Sequence, residues 1–416
     1  MENQKPDSNA IENANFIQSL LDRIKNGEDE KSVRNDFIDR FRDSEHAVIM
    51  HSEQILLDRG ISPKDLHIFF EWHGELAKIS APITHTLAAG HPIQTLNDEN
   101  QAIEKFLQSI ETTWDLGNFE ALPKKFMELN AVRKHYMKKE GLVMPVLYRN
   151  GFTGPSTVMW DRDDEIKRDV KNLARDVSRF FDSDSIHTSD EIAEFRKTRV
   201  EDVFAKIRDM ISREERVFFP VTLQFLSQED WLVIYRDMFE YGFSFIEEDE
   251  VIRWAAGEVW EQAQDRLFEK TFEPPADYVA HGMLDGKIKL PTGEISIRQL
   301  EAVLKILPID ITFIDAEDTI QFFMNEGKIF PRPKSALGQH VLDCHPPKLA
   351  PMIKDLIEDF KTKRRTNFEV CKFIMGKPIS VNYLGVYDEK GKYIGAVEFV
   401  QNLESVLDSF KHVPKY

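Results

Sequence analysis

Two stretches decide how the middle of this chain folds: His135-Tyr-Met-Lys-Lys-Glu-Gly-Leu-Val-Met-Pro145 and Met210-Ile-Ser-Arg-Glu-Glu-Arg-Val-Phe-Phe-Pro220. Both carry carboxylates and then close on an apolar pair followed by proline. Each lies in a long segment whose apolar residues recur every three or four positions, the pattern of an amphipathic helix. Such segments cover about 94–114, 121–149, 156–182 and 190–227, and the pattern continues to about 270. Gly/Pro turns such as Gly151-Phe-Thr-Gly154-Pro155 separate them. Four long amphipathic helices with short connections predict a bundle whose core could hold a ligand or a metal.

Working outward, the N-terminal side reads as a shorter helical module. Residues 1–11 form a polar arm, followed by the stripe Ile17, Leu20, Leu21, Ile24 and a second helix through Val33, Phe37 and Phe41. A third helix starts after Ser44, a good N-cap, and stops at Gly60, a good residue for leaving a helix. A fourth begins at Ser62-Pro63 and runs through Leu66, Phe69, Phe70 and His73. Breaks follow at Ser80-Ala81-Pro82 and Gly90-His91-Pro92.

On the C-terminal side the period changes near residue 290. Ile309, Ile311 and Phe313 alternate with polar residues, Asp315–Asp318 reads as a turn, and Ile320 and Phe322 follow. A helix is expected around 349–362, then strands at about 367–375, 379–387 and 393–400, with hairpin turns at Gly376-Lys377 and Asp388–Gly391. Cys371, inside an alternating run, is expected to be a small buried hydrophobe.

Composition sets the outer limits. The 416 residues carry 54 Lys plus Arg against 72 Asp plus Glu, a formal net charge of −18. That balance argues against nucleic acid and anionic membrane surfaces as partners, since phosphates attract Lys and Arg. No run approaches the length of a membrane span, and no secretory signal is legible at the start. Two cysteines, Cys344 and Cys371, cannot make a disulfide framework, so a cytoplasmic location is expected. The basic run Lys361–Arg365 reads as a solvated helix end or loop.

Histidines and carboxylates recur in the helical middle: His91 with Glu99-Asn100 beyond it, His135 with Glu140, Asp161, Asp163, Asp164 and Glu165 after Trp160, and Glu214-Glu215. Imidazole nitrogens and carboxylate oxygens on facing helices are the ligands of di-iron bundles. On these segments, residues 84–230 resemble the hemerythrin-like, HHE cation-binding bundle. The wider arrangement is similar to a bacterial family, domain-of-unknown-function family 438, in which a short helical module precedes the bundle and a PAS domain closes the chain. The resemblance rests on Gly90-His91-Pro92, His135-Tyr136, Met159-Trp160 with Asp164-Glu165-Ile166, Glu214-Glu215 and His73. It implies a metal, with iron and a di-iron centre foremost, held by His91, His135, Glu140, Asp164 and Glu214.

The sequence departs from the hemerythrin pattern at four positions. Aligning Pro145 with Pro220 puts Lys139 where a ligand Glu is expected and Met210 where a His is expected; Asp163 and Gln94 stand where further imidazoles are usual. Residues 135 and 139 differ by about 40° around a helix, but 135 and 140 by about 140°, so Glu140 needs a local distortion to join His135. Two readings stand: a carboxylate-rich metal site, or carboxylates that are solvated or paired with Lys and Arg.

The C-terminal part resembles a PAS domain, through Phe313-Ile314-Asp315 with Ile320 and Phe323-Met324-Asn325, and through Tyr387–Gly395 with Val397, Phe399 and Gln401-Asn402. Between them His340, Cys344 and His345 are candidates for holding haem or another PAS ligand, for a redox-sensitive thiol beside an imidazole, or for ordinary cap and packing roles.

The expected fold is therefore multidomain and mainly α: an N-terminal helical module over 12–80, a hemerythrin-like four-helix bundle with a helical extension over 84–270, and an α+β PAS domain over 290–416. The expected function is a sensor or regulator binding metal in the bundle and a ligand or partner through the PAS domain, with a homo-oligomer or protein partner carrying the output. The alternatives are an iron-dependent oxidase or nitrosative-stress repair enzyme, or an interaction scaffold with a degenerate metal site.

Overall fold

The structure, a computed structural model, describes residues 8–42, 44, 46–79, 87–152, 154–182, 187–271, 286–290, 292–324, 329–345, 347–374 and 377–411. The expected break at Ser80–Pro82, the start of the polar arm, His85, Asn325 and the turn residue Gly376 lie outside them. The chain divides into two compact units, Met1–Gly257 and Glu258–Tyr416.

The first unit opens with α1 (Ser8–Lys25), α2 (Glu30–Phe41), α3 (His46–Asp58) and α4 (Pro63–Ile79). The Asp29 side chain caps α2 by accepting the Ser32 N–H, which satisfies a donor the first turn would otherwise leave open. The predicted stripes converge: Ile17, Leu20, Val33, Phe37, Phe41, Leu56, Leu66, Phe69 and Leu76 are all fully buried together. Phe37 packs against Phe41, Phe69 and Trp72 with ring centroids 4.8, 5.8 and 5.8 Å apart, so these rings form the aromatic centre of the module.

The bundle follows. Its first helix, α5 (Pro92–Asp115), is capped by His91, whose Nδ1 accepts the Ile93 N–H at 3.2 Å. The second is a broken path: α6 (Leu122–Glu128), α7 (Val132–Lys138) and α8 (Met144–Arg149), with a π turn at Lys139–Val143 between α7 and α8. Then come α9 (Gly154–Phe180), α10 (Ser189–Phe195), α11 (Glu201–Arg213) and α12 (Phe219–Phe225), with π turns at Arg196–Val200 and Glu214–Phe218. Two of these wide turns have a cause in the sequence. Pro145 and Pro220 bring no N–H, and their rings crowd the carbonyls four residues back. The helix widens just before each, so that the Met144 N–H reaches the Lys139 carbonyl and the Phe219 N–H reaches that of Glu214. A local distortion is thus present at Glu140, though it does not bring Glu140 to His135, and it occurs twice in the same register.

Apolar side chains fill the bundle on both sides of this level. Ile103, Leu107, Phe126, Val170, Val203 and Ile207 belong to one cluster; Ile93, Leu96, Val143, Leu147, Phe218 and Phe219 belong to the other. Two further helices, α13 (Gln228–Met238) and α14 (Ala255–Thr271), follow; Ser227 and Asp230 form a capping box at the start of α13. Gly90 turns the chain into α5 with φ +77, and a Cβ there would lie 2.5 Å from the Arg253 carbonyl carbon, so the close approach of the 252–254 backbone requires glycine.

The second unit has a hairpin of β1 (Lys287–Leu290) and β2 (Gly293–Ser296), then α15 (Ile297–Ile306). These elements, between the bundle and the first PAS-like strand, were not foreseen. A five-stranded antiparallel sheet follows, formed by β3 (Asp310–Asp315), β4 (Ile320–Phe323), β5 (Asn367–Ile374), β6 (Lys377–Tyr387) and β7 (Tyr393–Asn402) in the order β4-β3-β7-β6-β5. The helix α16 (Ala350–Lys361) packs Ile357 and Phe360 against Ile314, Ile320 and Ala396 of the sheet, and α17 (Glu404–Lys411) comes last. The central pairing joins Phe313 to Val397 and Val381 to Val400. The fold is multidomain and mainly α with a terminal antiparallel sheet, as the periodicities predict. Cys371 is a correction: β5 is an edge strand, and this thiol is exposed rather than buried.

Candidate functional site, a buried charge layer

Between the two apolar clusters the bundle carries ionisable side chains at inward positions. On α5, Glu99 and Asn100 interrupt the stripe Leu96, Ile103, Leu107; on the second helix His135, Lys138, Lys139 and Glu140 stand between Val132 and Val143; α9 contributes Asp163 and Lys167, and the last helix Glu214. His135, Lys139, Asp163, Glu99 and Glu214 have no solvent exposure at all. A buried charge is tolerated when it is paired and hydrogen-bonded, and here the pairing is dense.

His135 lies between two acids, Nδ1 3.0 Å from Glu99 Oε2 and Nε2 3.0 Å from Glu214 Oε2. Lys138 donates to Glu99 Oε1 at 2.7 Å and to the Gly242 carbonyl at 2.7 Å, with its ammonium 4.0 Å from the centre of the Phe243 ring. Lys139 donates to Asp163 Oδ1 at 2.9 Å and to Glu214 Oε1, and its Nζ lies 3.6 Å from Met210 Sδ. Asn100 Nδ2 donates to Glu214 Oε2 at 3.0 Å. Lys167 grips both oxygens of Glu140 at 2.5 and 2.7 Å. From the segment after α13, the Ser244 N–H donates to Glu99 Oε1 at 2.6 Å, while the Ser244 hydroxyl receives the His135 N–H at 3.0 Å.

The electrostatics follow from these contacts. Burial alone would discharge His135, but Glu214 and Glu99 overcome it and raise its pKa to about 9. Burial likewise opposes the charge on Lys139, yet Asp163 and Glu214 push its pKa above the ordinary lysine value. Against the same penalty, Lys139 and His135 hold Glu214 down at about 2, and Lys138 and His135 keep Glu99 below the usual carboxylate range. Burial pushes Asp163 up to about 8 despite Lys139, with Glu140 and Glu214 adding to the rise. With every group ionised, the cations His135, Lys138, Lys139 and Lys167 balance Glu99, Glu140, Asp163 and Glu214, four against four. A proton on Asp163 leaves one net positive charge. The layer offers no surplus negative charge to a cation.

The ligands implied by the resemblance are placed as follows. His135 and Glu214 meet, but directly, ring to carboxylate. Glu140 and Asp164 both go to Lys167, Asp164 at 3.0 Å and 42% exposed. His91 caps α5 and packs between Trp231 and Trp254, each with ring centroids 4.9 Å away; burial pushes its pKa down to about 4. Of the eight oxygens on the four buried acids, seven accept a hydrogen bond from lysine, histidine, asparagine or backbone, and Asp163 Oδ2 alone is without a partner. Both ring nitrogens of His135 face carboxylate oxygens at 3.0 Å, so neither is turned to an open position. Among the described residues, no three His, Cys, Asp or Glu side chains are placed to hold one metal ion. The residues present therefore do not fit an iron centre.

Sequence reasoning placed Lys139 and Asp163 as departures and gave no role to Lys138, Lys167 or Ser244. The signal available was the interruption of apolar stripes by charged residues at inward positions. Ser244 had no such signal, since it arrives from a distant segment.

A second buried group lies in the N-terminal helices. His46 Nδ1 is 3.0 Å from His73 Nε2, and His73 Nδ1 is 3.5 Å from Glu53 Oε1, with Glu53 fully buried. His46 thus has a partner that the sequence did not reveal, and His73 is buried as part of a chain of three. Close by, Glu71 of α4 pairs with Arg162 and, at 3.0 Å, with Arg213. Those arginines immediately precede Asp163 and Glu214 in the chain, so α4 is tied to the two helices that hold Lys139.

In the second unit, His340 Nδ1 accepts the Leu342 N–H at 3.2 Å, and His345 Nδ1 donates to the Val341 carbonyl at 2.7 Å. Cys344 is half-buried against the sheet core. These are the contacts of cap and packing residues, and they give haem no support.

Comparison with known proteins places both units. Residues 91–222 match the family model of the hemerythrin HHE cation binding domain, and residues 300–404 that of a PAS domain. The chain joins a hemerythrin HHE domain to a PAS domain. No curated protein matches it. Among solved structures, a C-terminal domain from Streptococcus mutans is similar at 26% identity over 30% of this chain and 98% of that one, with a TM-score of 0.29. A sensory box sensor histidine kinase from Vibrio cholerae is 12% identical over 25% of this chain and 88% of that one, with a TM-score of 0.20. The PAS domain of a Colwellia psychrerythraea protein is 16% identical over 26% of this chain and 98% of that one, with a TM-score of 0.21. The charge layer lies inside the HHE domain, while His340, Cys344 and His345 lie inside the PAS domain. Among the described residues, no helix is long and apolar enough to cross a membrane.

Proposed function

We propose that the chain is a cytoplasmic sensor or regulator whose PAS domain carries the output through a homo-oligomer or a protein partner. The observation that carries this reading is the presence of an HHE domain and a PAS domain on one chain. In that reading the HHE domain contributes an ion-paired core, and the iron expected from the resemblance plays no part, because Glu140, Asp164 and Glu214 are engaged by lysines, His135 by Glu99 and Glu214, and His91 by the start of α5. A PAS ligand other than haem is compatible with it.

The test uses the full chain. Light scattering should give an assembly of at least two 48.4 kDa chains, and oxygen or nitric oxide supplied to the protein should not be turned over. A strictly monomeric protein contradicts the homo-oligomer. Sustained consumption of either gas contradicts the regulatory reading and favours an enzyme.

A further inference from the structure

We propose that Lys139 is the resident cation of the HHE domain: its ammonium stands in for a metal ion and makes the bundle metal-independent.

The internal register of the chain carries this. When Pro145 is laid on Pro220, Lys139 falls on Glu214, His135 on Met210 and Glu140 on Glu215. Lys139 and Glu214 are each the first residue of a π turn, so the equivalence is one of backbone geometry as well as of sequence. The two equivalent side chains point at each other across the core and bond directly. Asp163 of α9 joins them from a third helix. Acids at both equivalent positions, with Asp163 beside them, would crowd three buried carboxylates together, an arrangement that a bound cation or a shared proton must relieve. A lysine at one of the two positions supplies that cation covalently. Its ammonium has three protons to give, and the carboxylates of Asp163 and Glu214 take two directions while the Met210 sulfur lies in a third.

Charge balance closes the argument. The layer is neutral with all groups ionised, so a divalent ion entering beside Lys139 would leave buried charge uncompensated. Removing the ammonium reverses this. In a Lys139→Glu variant the new carboxylate would stand with Asp163 and Glu214, an oxygen-donor set that suits Mn2+, and Met210→His would add the imidazole that Fe2+ and Zn2+ also take. The inference does not depend on the regulatory reading: metal in the native protein would overturn it and leave the assembly untouched.

The experiment is a comparison of full-chain proteins, each stripped with a chelator and melted with and without Mn2+, Fe2+ (without oxygen) or Zn2+. Native protein should melt at the same temperature in every case. The Lys139→Glu variant should melt lower when stripped and recover by several degrees with metal, and adding Met210→His should enlarge that recovery and the bound metal. If Lys139→Glu does not fold even when produced with metal, the milder Lys139→Gln variant decides, by the same metal-dependent rise. A native protein destabilised by the chelator overturns the proposal, and so does the absence of any metal-dependent rise in the variants that fold.

Discussion

Nε2 of His135 and Oε2 of Glu214 stand 3.0 Å apart with both side chains fully buried, and this contact fixes how the bundle responds to pH. The pKa of His135 in the folded chain is about 9, above its ordinary 6.5. Its stabilisation is therefore complete below about pH 6.5 and is lost as pH rises through about 9. Asp163, raised to about 8 from 3.8, adds a loss in the same direction over its own window. Denaturant unfolding of the full chain from pH 6 to 10 should show falling stability, and His135→Gln should start lower and fall less steeply.

Acid acts through different groups. Burial, with His73 adding to it, holds His46 down at about 3, so the unfolded chain takes up protons that the folded one refuses. Stability should fall as pH drops from about 6.5 toward 3, over the range in which His91, at about 4, acts the same way. Replacing His46 by Gln should flatten this limb, measured as the midpoint of thermal unfolding against pH. An unchanged slope would contradict the buried, uncharged placement of His46.

Position decides what a lysine is worth. Lys139→Met leaves Asp163 and Glu214 without their shared cation and should cost about 3–5 kcal/mol, the usual effect of breaking a buried ion pair from one side. Lys124 is 83% exposed and 3.8 Å from Glu128, and Lys124→Ala should change stability by less than about 1 kcal/mol. Equilibrium denaturation of the two variants compares them directly.

Gly90 should tolerate no side chain. Gly90→Ala requires a left-handed backbone at φ +77 and places a Cβ 2.5 Å from the Ile252 carbonyl oxygen, so a loss of about 1–3 kcal/mol is expected from the backbone strain alone. Gly117, with φ +69 and open space around it, should lose less on the same substitution. Chemical denaturation distinguishes the two.

Much of the fold was legible because its elements announce themselves by period. The stripe from Ile17 to Ile24, the Ser62-Pro63 helix start and the alternation around Phe313 each belong to the element predicted. What escaped lay where the outcome depends on contacts distant in sequence. Cys371 alternates like a half-buried residue, but the sheet order puts its strand at an edge. His46 and His73 are 27 residues apart, and no spacing rule joins them. The candidate site was legible in part for the same reason. Aligning the prolines exposed Lys139 as out of pattern, yet only the packing of three helices shows its ammonium between Asp163 and Glu214. Lys138 and Lys167 have no role legible in the sequence, because nothing local to them shows which acid each one meets.

The acidic excess of the chain also changes meaning. Glu99, Glu140, Asp163 and Glu214 are matched inside the bundle by the protein's own cations, so all but one of the formal −18, a count that takes His as neutral, belongs to the rest of the chain.

The most direct test of the central claim is elemental analysis of the full-length chain, produced in iron- and manganese-supplemented medium and purified without oxygen or chelator. With Lys139 as the internal cation, the protein should carry only trace transition metal. Stoichiometric iron, manganese or zinc, absent from a variant lacking His135 and Glu214, would contradict it.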